Sequence, residues 1–138
     1  MRQLCTFTIE DTLLGIDVLK VQEVVREQAV TRVPLAPPAV VGLVNLRGQL
    51  VPAISLRRRM DRPDLEPGRR PTGVVVTTDD GPIDLLVDDI GDVTEISDEL
   101  FQEPPKTLRD PMRKLVKSVC RLPDRVLLLL DVDRAVNL

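Results

Sequence analysis

The sequence predicts an all-β protein, a barrel or sandwich built from many short strands. Short apolar or alternating runs recur at roughly ten-residue intervals, each closed by Gly, Pro or a charged cluster. Aromatic residues make up only 1% of the chain, so the core must come from Val, Leu and Ile, and β-branched side chains favour strands. Two Pro-bearing connectors, at 34–38 and 97–112, separate groups of hairpins and divide the chain into two similar halves without an exact repeat. A length of 138 residues fits one domain or two small intertwined subdomains.

Along the chain, residues 4–9 alternate and predict a strand with Cys5, Phe7 and Ile9 inside and Leu4, Thr6 and Thr8 outside. After a turn at 10–12, residues 13–18 predict a second strand. Val18, Val21, Val24 and Val25 fit either a brief helix or an irregular strand. Residues 29–33 predict a strand that ends at Pro34. The segment 34–38 holds three prolines, lacks the N–H groups for a ladder and reads as a stiff connector. The stretch 57–71, charged and rich in Pro and Gly, predicts a solvated, mobile loop. Residues 72–78 and 83–87 flank the turn 79–82 as a hairpin, and 91–96 continue extended. Residues 115–122 and 126–132 form another hairpin about 123–125. A short C-terminal helix over 133–138 would take Asp133 as its cap.

Composition excludes several kinds of chemistry. There is no histidine, which removes the commonest general base and zinc ligand. The two cysteines, Cys5 and Cys120, are far apart in sequence; they cannot make a four-cysteine zinc site and read as buried thiols. No phosphate-cradling glycine loop is present. Asp79, Asp80, Asp84, Asp88, Asp89 and Asp92 read as turn and edge-strand charges that block sheet aggregation. Neither a catalytic constellation nor a cofactor or metal requirement emerges, so an enzyme is not expected. A net charge of −3 argues against nucleic acid, and no aromatic platform accompanies Arg57, Arg58, Arg59, Arg62, Arg69 and Arg70. No run is long enough to span a membrane and the first residues carry no signal-peptide pattern, so the expected location is cytoplasmic.

The most specific stretch is 41–57, VGLVNLRGQLVPAISLR. It reads as a hairpin turning at Arg47-Gly48, with Gly48 supplying φ > 0 and the turn holding the Arg47 guanidinium at the surface. Its alternation predicts a buried face of Val44, Leu46, Leu50, Ile54 and Leu56 and an exposed face of Asn45, Arg47, Gln49 and Ser55. Pro52 implies an edge or a bulge. This hairpin, with GIDVLKVQEV at 15–24 and TRVP at 31–34, resembles the signature of the CheW family, which couples bacterial chemoreceptors to their histidine kinase. LLVD at 85–88, EPP at 103–105 and LLLDV at 128–132 extend the resemblance over nearly the whole chain. Ser55 stands where the family usually has Asp, and Ala39 and Ser118 also depart from its pattern.

The resemblance implies two intertwined five-stranded SH3-like β-barrel subdomains within one domain, with short helical segments. One subdomain is expected over about residues 10–70 and the other over about 1–9 plus 71–138. It implies a non-catalytic adaptor that binds a chemoreceptor's cytoplasmic tip and the CheW-like regulatory domain of the kinase CheA. Val21, Glu23, Gly42, Arg47 and Val93 would face the receptor. From the residues alone, Val21 reads as core, Glu23 as a solvated acid, Gly42 as a strand position crowded by neighbouring backbone and Arg47 as a turn arginine. Two other readings stay open: a coupling protein of a non-motility chemosensory pathway, and a small nucleic-acid-binding β-barrel.

Overall fold

A computed structural model describes residues 1–26 and 29–137. Twelve strands are described: β1 (Arg2–Ile9), β2 (Thr12–Asp17), β3 (Val21–Val25), β4 (Thr31–Arg32), β5 (Val40–Leu46), β6 (Gln49–Ser55), β7 (Thr72–Thr78), β8 (Gly81–Val87), β9 (Asp89–Ile96), β10 (Phe101–Gln102), β11 (Val116–Arg121) and β12 (Val126–Leu130). One-turn helices α1 (Leu56–Arg59), α2 (Met112–Leu115) and α3 (Val132–Val136) join them. The ambiguous valines after β2 resolve into a 3-10 turn, Val18–Lys20, followed by strand β3. The strand expected over 29–33 shortens to the two residues of β4, and residues 27 and 28 lie outside the described residues.

The strands form two sheets, ordered β10-β11-β12-β2-β1-β9 and β3-β7-β8-β6-β5-β4. Each has five full strands and one of two residues, which is the expected pair of SH3-like barrels. The two orders follow one plan. In each, a hairpin (β11–β12, β5–β6) lies parallel to a second hairpin (β1–β2, β7–β8) through one central pair, β12 with β2 and β6 with β8. A one-turn helix follows the first hairpin in both, α3 after β12 and α1 after β6. The N-terminal hairpin β1–β2 thus completes the barrel that the C-terminal half begins.

The division of the chain differs from the expected one. Strand β2 pairs with β1 and β12 rather than with the 10–70 unit, and β7 and β8 belong with β5 and β6. The chain leaves one sheet at 18–20 and returns between β8 and β9. The local cause is the tight β1–β2 turn, where Glu10 at φ 55 folds β2 directly back on β1.

Three apolar clusters fill the molecule. Leu4, Leu13, Ile96, Cys120, Leu127 and Leu129 fill the first barrel. Val44, Val51, Ala53 and Leu86 fill the second. The largest cluster lies between them and takes Phe7, Ile9, Leu14, Ile16 and Leu130 from one sheet and Ile54, Val74, Val76, Leu85 and Val87 from the other. Strands β1 and β12 are therefore covered on both faces. Leu4 and Thr6, expected outside, are buried, because the first barrel closes over the face opposite Phe7.

The helix caps follow from residue type. The Asp131 carboxylate accepts from Arg134 N–H (3.1 Å) and starts α3 two residues before the expected Asp133 cap. Ser55, expected exposed, is buried and does the same for α1, accepting from Arg58 N–H at 3.2 Å. Ser and Asp both carry a side-chain oxygen that reaches the N–H three residues on, so the Ser55 departure leaves the helix start intact.

The arginines after Ser55 are pinned rather than solvated. Arg58 holds the Asp64 carboxylate (2.9 and 2.9 Å) and the Pro38 carbonyl (2.8 Å). Arg59 donates to the Ala135 (3.0 Å) and Arg134 (2.8 Å) carbonyls at the end of α3. Arg57 reaches Asp88, at the point where the chain crosses back between sheets, through Nε (2.7 Å) and Nη2 (2.8 Å). Asp88 also accepts from Glu10 N–H (2.7 Å), and its own N–H donates to the Thr8 carbonyl (3.1 Å). Burial alone would raise the Asp88 carboxyl. The Arg57 and Glu10 hydrogen bonds outweigh it and hold Asp88 below the usual carboxylate range. That stability is present above the ordinary carboxylate pKa and is lost as pH falls through the depressed value.

With side-chain exposures of 12% and 5%, Arg57 and Asp88 form a buried pair. Arg57→Met should therefore cost about 3 kcal/mol, because Asp88 is left charged with the Glu10 N–H as its remaining hydrogen-bond donor. Urea unfolding beside Arg70→Met, an exposed control, checks this. Equal midpoints for the two variants would remove the clamp from the account.

Candidate functional site

The hairpin β5–β6 has a two-residue loop with Leu46 opposite Gln49. Arg47 (φ 50) and Gly48 (φ 85) both lie in the left-handed region, the geometry of a type I′ turn whose twist matches the strands. The Asn45 side-chain oxygen accepts from Gly48 N–H at 2.8 Å and fixes the turn. This register also overturns part of the expected burial pattern. Opposite residues share a face, so buried Val44 requires buried Val51, while Leu50 shares the outer face with Asn45 and is 64% exposed. Pro52 lies just before β6 begins its parallel pairing with β8 at Ala53.

Arg47 projects from the tip with its side chain 74% exposed, as expected, and it has a partner. Both its Nη atoms donate to the Glu23 carboxylate, at 3.0 and 2.7 Å, a bidentate fork. Glu23 sits on β3, three places from β6 in the sheet order, so only a curled sheet brings the two together. A bulge between Val21 and Glu23 separates their directions. Val21 packs at the edge of the shared core, and Glu23 stays on the row shared with Val75. Gly42 pairs with Arg32 and Ala53, and a Cβ there would run into the Thr31 carbonyl, so Gly42 admits β4 against β5. Val93 lies on β9 of the other sheet, exposed and opposite Cys5. The structure therefore joins Arg47 directly to Glu23 and sets Gly42 at the far side of the Glu23 row, four strands along, with Val21 at the shared core and Val93 on the other sheet.

The acidic residues read as edge charges divide sharply. Asp89 is exposed, as expected; Asp88 is buried in the clamp, and Asp84 is fully buried. Neither Asp84 oxygen has a hydrogen-bond partner among the described residues. Burial, and then the negative charge of Glu23, push the Asp84 carboxyl up to about 6. A signal for this existed in IDLLV at 83–87, where Asp84 shares its strand face with apolar Leu86. Among the described residues no three His, Cys, Asp or Glu side chains group to hold a metal ion. Arg26, Arg69 and Arg70 line a groove that also carries Asp88 and Asp89, so its positive charge is partly countered.

Two SH3-like barrels sharing one core, with a hairpin tip that presents a bidentate ion pair, define a double-barrel β-scaffold. The CheW-like domain model matches residues 3–138, and the chain belongs to that family. It is 32% identical over 136 residues to the chemotaxis protein CheW of Treponema pallidum, covering 96% of this chain and 80% of the relative. It is 28% identical to that of Klebsiella aerogenes, covering 95% and 79%. The crystal structure of the scaffolding protein TtCheW from Thermoanaerobacter tengcongensis shares the fold, with a TM-score of 0.87 at 23% identity over 99% of this chain and 93% of that one.

Two contrasts follow from these settings. Arg47→Ala should cost under about 1 kcal/mol, since an exposed ion pair is screened by solvent. Gly42→Ala should cost several times more, because Thr31 backbone must move. Thermal melts of both decide the point, and a larger loss at Arg47 would make it a structural brace.

Asp84 gives a pH signature. A carboxyl raised from 3.8 to about 6 contributes stability fully present below about pH 3.8 and lost as pH rises through about 6. The loss amounts to about 3 kcal/mol. Asp84→Asn should gain on the parent by up to that amount between pH 4 and pH 8 in paired urea titrations. A constant difference across that range would mean that Asp84 titrates normally.

Proposed function

We propose that the chain is a non-catalytic coupling protein. It bridges the cytoplasmic tip of a chemoreceptor and the CheW-like regulatory domain of the kinase CheA, as part of a membrane-associated receptor array in the cytoplasm. Membership of the CheW-like family carries this reading, and the presented Arg47–Glu23 tip is the surface feature that best supports it. Among the described residues no helix is long and apolar enough to cross a membrane. In this reading Val21, Glu23, Gly42, Arg47 and Val93 form the receptor-facing set, and the kinase domain takes a separate face. Weak contacts on two faces then act through effective concentration within an array.

Val21→Asp and Glu23→Lys should weaken receptor capture about tenfold or more while leaving kinase-domain capture near the parent level. Arg47→Lys should recover only part of what Arg47→Ala loses, because a point charge cannot reproduce the fork. Separate pulldowns with a receptor signalling fragment and with the kinase regulatory domain provide the test. Equal loss in both arms from a variant with an unchanged melt would contradict two separable faces.

A further inference from the structure

We propose that Asp84 is a proton-binding group inside the second barrel whose occupancy is set by the Arg47–Glu23 ion pair at the hairpin tip. The geometry begins with one row of residues across the sheet. Glu23, Val75, Asp84, Ala53 and Gly42 lie opposite one another on β3, β7, β8, β6 and β5, and so share a face. On that face Asp84 meets Val75 and Ala53 to either side. Gly73 on β7 leaves the space its carboxyl occupies, since a Cβ there would run into both Asp84 oxygens. Among the described residues β7, β6 and β5 present no charge in this row, and its two ends carry Glu23 on β3 and Arg32, which β4 sets opposite Gly42. The charged group acting on Asp84 is Glu23 of β3, and Glu23 is in turn held by Arg47 of the β5–β6 tip.

A buried carboxyl with no hydrogen-bond donor is stable as the neutral acid and costly as the anion. The second carboxylate raises that cost, and a cation on the second carboxylate lowers it. Arg47 on Glu23 therefore favours the ionised form of Asp84, and Arg47 withdrawn from Glu23 favours the protonated form. The proton comes from solvent and enters when the tip pair opens.

If the proposed receptor contact draws Arg47 off Glu23, binding takes up a proton and tightens as pH falls through the titration range. That consequence rests on the coupling function proposed above, whereas the proton site itself is tested on the protein alone. Aspartate side-chain carboxyl carbons, isotope-labelled and followed by NMR from pH 4 to pH 8.5, report the titration, and Asp84→Asn identifies the resonance. The parent midpoint should lie well above that of the exposed aspartates. Glu23→Gln should lower it, and Arg47→Ala should raise it, each by about half a pH unit or more. Arg47→Lys, keeping the charge but not the fork, should fall between Arg47→Ala and the parent. A merely structural tip would leave the midpoint unmoved. A midpoint in the ordinary carboxylate range, or one that neither Glu23→Gln nor Arg47→Ala displaces, overturns the proposal. Should Arg47→Ala fail to fold, the Glu23→Gln shift decides it.

Discussion

The structure depends on an apolar layer that belongs to neither barrel alone. Each barrel has a small interior of its own, four to six fully buried apolar side chains, which is too little to hold a sheet of this size. The layer between them draws on β1, β2 and β12 from one side and on β6, β7 and β8 from the other, with α1, α2 and α3 closing its ends. Burial of these residues removes apolar surface from water only while both sheets are present. The crossing of the chain fits this demand. The N-terminal hairpin is given to the barrel built by the C-terminal half, and the clamp of Arg57, Asp88 and Glu10 pins the point of return.

That layer also explains what the sequence made legible. Strands covered on one face alternate; strands covered on both read as unbroken apolar runs. Val74-Val75-Val76, Leu85-Leu86-Val87 and Leu127–Leu130 are such runs, and they mark the sheets that meet at the shared core. The all-β class, the hairpins and the Arg47-Gly48 turn were readable because each rests on local pattern or turn chemistry. The assignment of strands to barrels was not. It depends on which hairpins pair in parallel, β12 with β2 and β6 with β8, and local alternation carries no record of that. The sequence shows two similar halves, but not that one barrel is split between the chain's two ends.

Of the candidate site, the presentation of Arg47 was legible and its partner was not. Glu23 and Arg47 are 24 residues apart and meet only because the sheet curls. The buried acids were misread because charge in a strand usually signals an exposed edge. Asp84 departs from that rule because Gly73 clears space for it, and Asp88 because Arg57 neutralises it. In a chain this rich in arginine, charge clusters at 57–59 looked solvated, yet each of those three side chains spans to a different element: the crossover, the 57–71 loop and α3. The fold thus stands on internal electrostatics that composition alone does not reveal.

Native-state hydrogen exchange tests the shared layer most directly. Amides of β1 and β12 in one sheet and of β7 and β8 in the other should open with the same free energy, within about 0.5 kcal/mol, because losing either sheet exposes the layer to water. Opening of one sheet several kcal/mol below the other would mean that each barrel stands on its own interior, and would contradict the account.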